Sequence, residues 1–430
     1  MAVGDSVEVD VERVAHGGFC VARLDGRAVF VRHALPGERV RAVVTEERPR
    51  YLRADAVEVL VASAHRVQEP CPYARPGRCG GCDWQHVEIG HQRALKATVV
   101  AEQLRRIAGL DRPVVVEEVP GHPDGLGWRT RVQWAVRRDG AVGLHRHRSH
   151  AVQPIERCLI AHPEVTAVGV ERRPWPHVRR VEVVTAAATG ERAVVVTPVS
   201  RRQPVRPMDL DAPAAVLRDD GGGATTALRG SAAVTELAAG RRWRVSGSGF
   251  WQVHPAAADA LAGAVLELAG ARPGDAVLDL YCGAGLFAGA LGEAVGDAGR
   301  VVAVEADRAA AADAAHNLAD LSHVRVERCR VDAGSLPRLA GLAGRPVDVV
   351  VLDPPRAGAG IPLAQAIGAL GARAVVHVAC DPASLARDIA ALAGAGYRLE
   401  RLRAFDLFPM TAHVECVALL TTDGYRSPCE

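Results

Sequence analysis

At 430 residues the chain is too long for one ordinary core, so two or three domains are expected. A hydrophobic content of 49% with 24% charged residues is that of a soluble globular protein, and no run of 18 uncharged apolar residues could cross a membrane. The net charge of +2 says little about a polyanionic partner, and the 52 basic residues include a single lysine, Lys96.

The first residues, MAVGDSVEVDVERV, carry acids where a secretory signal has a basic and then an apolar segment, so the cytoplasm is the expected location. Residues 3–60 continue as short alternating runs (SVEVDVERV, CVARL, AVFVRHAL) punctuated by Gly17, Gly18, Gly26, Pro36 and Gly37. Period-two alternation without a helical stretch predicts a small antiparallel β-barrel over residues 1–60.

Residues 61–250 are less regular. Within HVEIGHQRALKATVVAEQLRRIAG, Ile89, Leu95, Val99, Leu104 and Ile107 recur at near-helical spacing. Strand-like runs follow (RVQWAVRR, HVRRVEVVT, RAVVVTPV), broken by LRDDGGGATTALRG. The arginine-rich stretches at 129–140 and 145–150 suit a nucleic-acid groove or a solvated strand face equally well. Ten cysteines in a cytoplasmic chain are read as ligands, nucleophiles or core residues before disulfides. Cys71, Cys79 and Cys82, in CPYARPGRCGGCDWQH, could join Cys158 in supplying four thiolates to a [4Fe-4S] cluster or to zinc. His86 could instead complete a three-cysteine zinc site, and spacing does not decide between these.

From about residue 256 strands and helices alternate, through AVLDLYCGAGLF, RVVAVEAD, VRVERCRVDA, VDVVVLDPPRAG and AVVHVACDPASLARD. Apolar strands alternating with helices predict an α/β Rossmann-like domain whose parallel sheet is covered on both faces. Ligands bind such sheets beyond the carboxyl ends of the strands, so Gly283, Glu305, Asp332, Asp353 and Cys380 should share one crevice. Asp279, Gly283 and Gly285 sit where a strand turns into a helix with free N–H groups. Glu305 suits ribose hydroxyls and Asp332 an adenine amino group, the order of acids expected for S-adenosylmethionine. A nicotinamide-binding turn would need G-x-G-x-x-G, and here Leu286, Phe287 and Ala288 follow Gly285.

Arg356 follows Asp353-Pro354-Pro355 where an amino-directed methyltransferase would carry an aromatic clamp, so carbon becomes the expected acceptor. C5 of a pyrimidine is a weak nucleophile until a thiolate adds to C6, which splits one hard step into easier ones. Cys380 lies at a strand's carboxyl end before a helix, where the dipole would favour thiolate. Glu415, a carboxylate within the apolar run AHVECVALL, is the candidate base for the C5 proton. A buried filler thiol and a salt-bridged glutamate are the structural alternatives.

DLYCGAGLF, VVAVEAD, DPPRAG, HVACDPASLARD and FDLFPMTAHVECVALL, in this order over residues 278–420, resemble the RNA 5-methyluridine methyltransferases that act on transfer RNA or 23S ribosomal RNA. GDSVEVDVERVAHGGFCVARLDGRAVFVRHALPGERVRA likewise resembles the TRAM domain, a small barrel attached to RNA-modifying enzymes. The resemblance implies Cys380 as nucleophile and Glu415 as base. It implies S-adenosylmethionine bound by Gln252, Tyr281, Glu305 and Asp353, with Asp332 near the adenine. It also favours [4Fe-4S] over zinc at Cys71, Cys79, Cys82 and Cys158, in a structural or RNA-positioning role.

The expected organisation is thus a TRAM-like RNA-binding barrel (1–60), a metal-containing central domain (61–250) and a methyltransferase domain (251–430). The expected partner is structured RNA, with no membrane and no obligate protein partner. Asp381 departs from the asparagine of many members; it would raise the pKa of the neighbouring thiol unless its carboxylate turns to cap the following helix. His254 and Leu286 are further departures. The alternatives are a 5-methylcytidine methyltransferase, a class that usually carries two cysteines, and a catalytically lapsed RNA-binding protein, against which intact Cys380, Glu415 and Glu305 argue.

Overall fold

The structure is a computed structural model that describes residues 2–205 and 208–422; Cys429 lies outside the described residues. Strands β1 (Ser6–Val14), β2 (Cys20–Leu24), β3 (Arg27–Arg32), β4 (Arg39–Arg48) and β5 (Tyr51–Val61) close a barrel in the order β1-β2-β3-β5-β4. In β1 the period-two pattern works as written: Val7, Val9 and Val11 face in, while Glu8, Asp10 and Glu12 face water. The expected antiparallel pairing holds for four of the five contacts. The fifth, β3 with β5, is parallel, because β4 pairs with β1 instead of its predecessor and leaves β3 to the strand after it.

Helix α1 (Ile89–Gln103) is continued by a wider turn to Ala108 and ends on Gly109, whose φ of +68° suits a left-handed cap. Lys96 lies on its buried face, completely enclosed, and donates to Asp406 Oδ1 (2.5 Å) and to the Phe408 carbonyl (3.0 Å). The lone lysine therefore ties α1 to the segment leading into Glu415. Removing one partner of a buried pair leaves the other charge uncompensated. Lys96→Met is accordingly expected to lower unfolding stability by about 3–5 kcal/mol, read from denaturant titration.

Next come β6 (Val116–Glu117), β7 (Arg131–Val136), β8 (Val142–His145), β9 (Val152–Pro154), α2 (Pro163–Ala167), β10 (Val178–Thr185), β11 (Arg192–Pro198), β12 (Ala215–Gly221) and β13 (Ala224–Arg229). Apart from β6 these strands form one sheet, ordered β13-β12-β11-β10-β7-β8-β9, and β14 (Ala233–Ala238) with β15 (Arg241–Ser246) forms a separate hairpin.

The last segment holds α3 (Ala257–Ala269), β16 (Ala276–Leu280), α4 (Leu286–Val295), β17 (Arg300–Glu305), α5 (Arg308–Asn317), β18 (Val324–Arg328), α6 (Leu336–Gly341), β19 (Val349–Leu352), α7 (Ile361–Ala369), β20 (Ala374–Ala379), α8 (Pro382–Ala393), β21 (Tyr397–Phe405) and β22 (Glu415–Thr422). Its sheet runs β18-β17-β16-β19-β20-β22-β21-β6. Every residue of β16, β19 and β20 is buried, as strands covered on both faces require. The strands β16 to β20 are parallel, whereas β22 runs antiparallel to both β20 and β21. β6 joins the far edge, so a short piece of the central segment completes this sheet. Among the described residues no helix is long and apolar enough to cross a membrane.

Candidate active site

Beyond β16 the backbone turns sharply: Tyr281, Gly283 and Gly285 all have positive φ (66°, 56° and 97°). The two glycines serve different ends. A Cβ on Gly283 would meet no atom within 4 Å, so the turn opens onto free space there, whereas one on Gly285 would come 2.9 Å from Leu318 Cδ1. Tyr281 holds a left-handed conformation that costs a side-chain-bearing residue about 1 kcal/mol or more.

Glu305, closing β17, accepts from the Gly283 amide (3.0 Å) on one carboxylate oxygen and from the Asp307 amide (2.7 Å) on the other. Both oxygens keep a lone pair for a ligand's hydroxyls. Asp332 is exposed one strand further on, and its Oδ1 accepts from the Ser335 amide (2.8 Å), which helps hold its carboxyl below the usual range. Asp279 lies beneath the turn, fully buried, with neither carboxylate oxygen in a hydrogen bond of normal geometry. Burial drives its pKa up to about 8; the Ala288 amide opposes this too weakly, and Asp353 and Glu305 add to the rise. Acids from three neighbouring strands thus feel one another at one edge of the sheet. That cradle fits the ribose and turn-binding needs of S-adenosylmethionine on its donor chemistry and its open glycine.

The adjacent strands build the reactive cluster. β20 and β22 pair antiparallel with Ala379 opposite Cys416, so continuing the register one step places Cys380 opposite Glu415. The antiparallel insertion of β22 is what brings a residue from the start of a strand to the carboxyl end of its neighbour. Glu415 is 4% exposed, and burial, then the Asp353 charge, push its carboxyl well above the ordinary range, with Arg356 pulling it back. Asp353 is raised to about 7 by desolvation although it is only half-buried at the crevice. The Arg356 charge lies near enough to the Cys380 sulfur to pull its pKa down, and the guanidinium reaches the His413 ring (2.6 Å to Nδ1). Burial, then the Arg356 charge, hold His413 near 4, leaving it neutral at ordinary pH.

The expectation that the helix N-terminus makes Cys380 a ready thiolate is corrected. Burial and the Glu415 charge raise its pKa to about 11, against the pull of Arg356. Asp381 is not the cause. Its Oδ1 accepts from the Ser384 amide (2.8 Å), capping α8, and its Oδ2 accepts from His16 of the barrel (2.9 Å). Burial would raise Asp381, but those two hydrogen bonds win and bring it to about 2. Because the thiolate fraction rises steadily with pH until the thiol's pKa is reached, and Glu415 too must lose a proton to act as base, kcat/KM is expected to climb through pH 6–9. A plateau below pH 8 in a profile at constant ionic strength would contradict this.

Sequence reasoning passed over a buried pair that frames the nucleophile. His377 on β20 meets Asp388 on α8 (Nε2 to Oδ2, 2.9 Å), and Asp388 also accepts from the amides of Ala359 (2.7 Å) and Gly360 (3.0 Å). The loop after Arg356 is thereby pinned to α8, the helix that follows Cys380. The signal was present: a histidine inside the apolar run AVVHVA.

Gln252 lines a cavity with Thr130, Glu236, Trp251 and His254. Cys71, Cys79, Cys82 and Cys158, all unpaired, line one cavity of about 330 Å³, and the Gly81 amide donates to Cys79 Sγ (3.4 Å). Burial raises the thiols of Cys79 and Cys82, and brings Cys158 to about 11. Yet among the described residues no three cysteine, histidine or acidic side chains stand close enough to hold a metal ion. A single zinc, with every sulfur about 2.3 Å away, therefore has no ready-made site. His86 is buried and does not line the cavity.

Comparison with known proteins is consistent across the chain. The TRAM domain profile matches residues 2–57 and that of tRNA (Uracil-5-)-methyltransferase matches residues 238–423. An uncharacterized RNA methyltransferase of Streptomyces avermitilis is 52% identical over 97% of this chain and 98% of its own length. Another from Bifidobacterium longum is 37% identical over 96% of both chains. Among solved structures, the Pyrococcus abyssi tRNA (uracil-54, C5)-methyltransferase in complex with S-adenosyl-L-homocysteine superposes with a TM-score of 0.69 at 22% identity, covering 96% of this chain and 99% of that one.

Proposed function

As the chain belongs to the TRAM-containing tRNA (uracil-5-)-methyltransferase family of S-adenosylmethionine-dependent RNA methyltransferases, we propose that it methylates C5 of a uridine in transfer RNA or 23S ribosomal RNA through a covalent Cys380 adduct. The observation that carries this reading is the Cys380–Glu415 juxtaposition, with both groups feeling the Arg356 charge.

The target base is flipped from its stack, since C6 is unreachable within it. Cys380, its thiol proton first lost to solvent, bonds as the thiolate to C6, and the C5–C6 π electrons move to C5 and O4 as an enolate. Arg356 is the donor suited to that oxyanion. S-adenosylmethionine supplies the methyl group when bound. Glu415 then takes the C5 proton, the C5–C6 double bond re-forms, and the Cys380 sulfur leaves C6 with its electron pair. Glu305 and the turn at Tyr281 and Gly283 hold the cofactor, with Asp332 toward the adenine and Asp353 at the join between the two halves of the site.

We also place a [4Fe-4S] cluster on Cys71, Cys79, Cys82 and Cys158, since four thiols meeting in one cavity is the donor set it needs. It would fasten residues 71–82 to the loop carrying Cys158 and take no part in methyl transfer. An anaerobic preparation should show broad visible absorption; its absence together with one zinc per chain would overturn the cluster.

The test of the reaction is product identity. Unmodified tRNA and 23S rRNA transcripts are incubated with methyl-labelled cofactor and digested to nucleosides. Label is expected in 5-methyluridine from one of the two; label in 5-methylcytidine would overturn the reading.

A further inference from the structure

The β1–β2 turn of the barrel, AHGGF at 15–19, reaches the reactive cluster from a third side. The Ala15 amide donates to the Phe19 carbonyl (2.7 Å) and closes the turn through Gly17 and Gly18, whose φ of +89° and +82° suits glycine. Gly18 is seated against two segments at once: a Cβ there would come 3.0 Å from Ala412 Cβ and from Asp83 Cγ. Its carbonyl accepts from the Trp84 indole (3.4 Å), and the amides of Asp83 and Trp84 donate to the Met410 carbonyl (3.1 and 3.0 Å). The turn is thereby fixed to the segment that runs into Glu415. From it the His16 side chain extends to Asp381, the residue after Cys380.

As an ion pair this contact contributes little to stability, since its two side chains are 39% and 23% exposed. Its position gives it weight. The groups that face the Cys380 sulfur are Glu415 from β22, Asp353 beyond β19 and Arg356 from the loop after it. Burial, Glu415 and Asp353 disfavour the thiolate, and only Arg356 among these favours it. Asp381 brings another carboxylate to the next position in the chain. Its Oδ1 caps α8 at the Ser384 amide (2.8 Å), which leaves Oδ2 for another donor, and His16 Nε2–H supplies it at 2.9 Å. A carboxylate bonded on both oxygens is held in one orientation with its charge drawn toward its donors. With the imidazole gone, the cap alone would hold it, and more of its charge would add to those of Glu415 and Asp353 at the thiol.

We propose that His16 of the barrel is a positioning residue for the nucleophile: by binding the second oxygen of Asp381 it holds that carboxylate, and the start of α8, where Cys380 can ionise. The barrel then contributes to the reaction as well as to RNA binding, because the strand and helix that carry Cys380 and Asp381 do not themselves supply this donor. The inference rests on Cys380 as the nucleophile.

The test reads the thiol directly, without RNA. Full-length protein is alkylated with iodoacetamide at a series of pH values below the thiol's pKa, and the rate at Cys380 is followed by mass spectrometry of its peptide. His16→Ala is expected to slow that rate about three- to tenfold, the weight of up to one pKa unit. On substrate RNA kcat should fall by a similar factor, with S-adenosylmethionine affinity unchanged because its cradle lies at β16 and β17. His16→Gln, which keeps an N–H donor on a side chain of similar reach, should restore the alkylation rate. Asp381→Asn should abolish the dependence, so that adding His16→Ala to it changes nothing. A contact that merely docks the barrel would lower the melting temperature in both backgrounds and leave alkylation alone. An unchanged alkylation rate in His16→Ala, slowing that persists beside Asp381→Asn, or a glutamine variant as slow as the alanine one would overturn the proposal. The expected alkylation pattern in a protein that forms no 5-methyluridine would instead count against the proposed reaction.

Discussion

Cys380→Ala is expected to abolish methyl transfer, by about 10⁴-fold or more, while S-adenosylmethionine still binds. The barrier it restores is intrinsic to the base: without sulfur at C6, C5 has too little electron density to accept a methyl group. The separation of effects follows from the sheet. Cys380 directly follows β20, whereas the cofactor cradle is made by β16 and β17 on the other side of β19. Cofactor affinity by calorimetry, beside turnover with labelled methyl groups, checks both halves. Residual activity within tenfold of wild type would remove Cys380 from the mechanism.

Glu415→Gln should fail at the other end of the reaction. The carboxylate that pushes up the Cys380 pKa is removed with it, so attack on C6 is as fast as before or faster. Methyl transfer also proceeds, but the C5 proton has no base, and elimination stalls. Turnover is expected to drop about 10²–10⁴-fold, the usual weight of general base catalysis, with methylated RNA accumulating on the protein. The linked species is read as a band that survives denaturation and carries the methyl label. Loss of turnover with no such species would show that Glu415 acts before transfer.

Much of this site could be read from the sequence because each part lies at a local signal. A strand ending in a glycine turn, an acid closing the next strand and a cysteine between an apolar run and a helix-opening proline need only the parallel-sheet rule to meet at one edge. Glu415 was legible as an anomaly, a carboxylate among apolar neighbours, but its partner was not. That partner depends on β22 inserting antiparallel between β20 and β21, which no local pattern encodes. The thiol's pKa was misjudged for the same reason: the helix dipole is local, whereas burial and the Glu415 charge arrive through tertiary packing.

Long-range polar links were the least visible. Lys96 reaches Asp406 across 310 residues, and His16 of the barrel meets Asp381 beside the nucleophile across 365. The second link answers the question raised by the acid at position 381, since capping α8 and accepting from His16 use both of its oxygens. In the barrel the alternation revealed the inward Val7, Val9 and Val11 of β1, yet the parallel β3–β5 pair depends on how the chain closes.

The central claim is the bond between Cys380 and C6, and 5-fluorouridine tests it most directly. Fluorine at C5 cannot be removed by a base, so once sulfur has added and the methyl group has moved, the adduct persists. The full-length protein is incubated with S-adenosylmethionine and substrate RNA carrying 5-fluorouridine, digested with protease and nuclease, and the peptides are sequenced by mass spectrometry. The account predicts a methylated fluoropyrimidine nucleotide on Cys380 and no adduct in Cys380→Ala. An adduct on another cysteine, or one that persists in that variant, would contradict it.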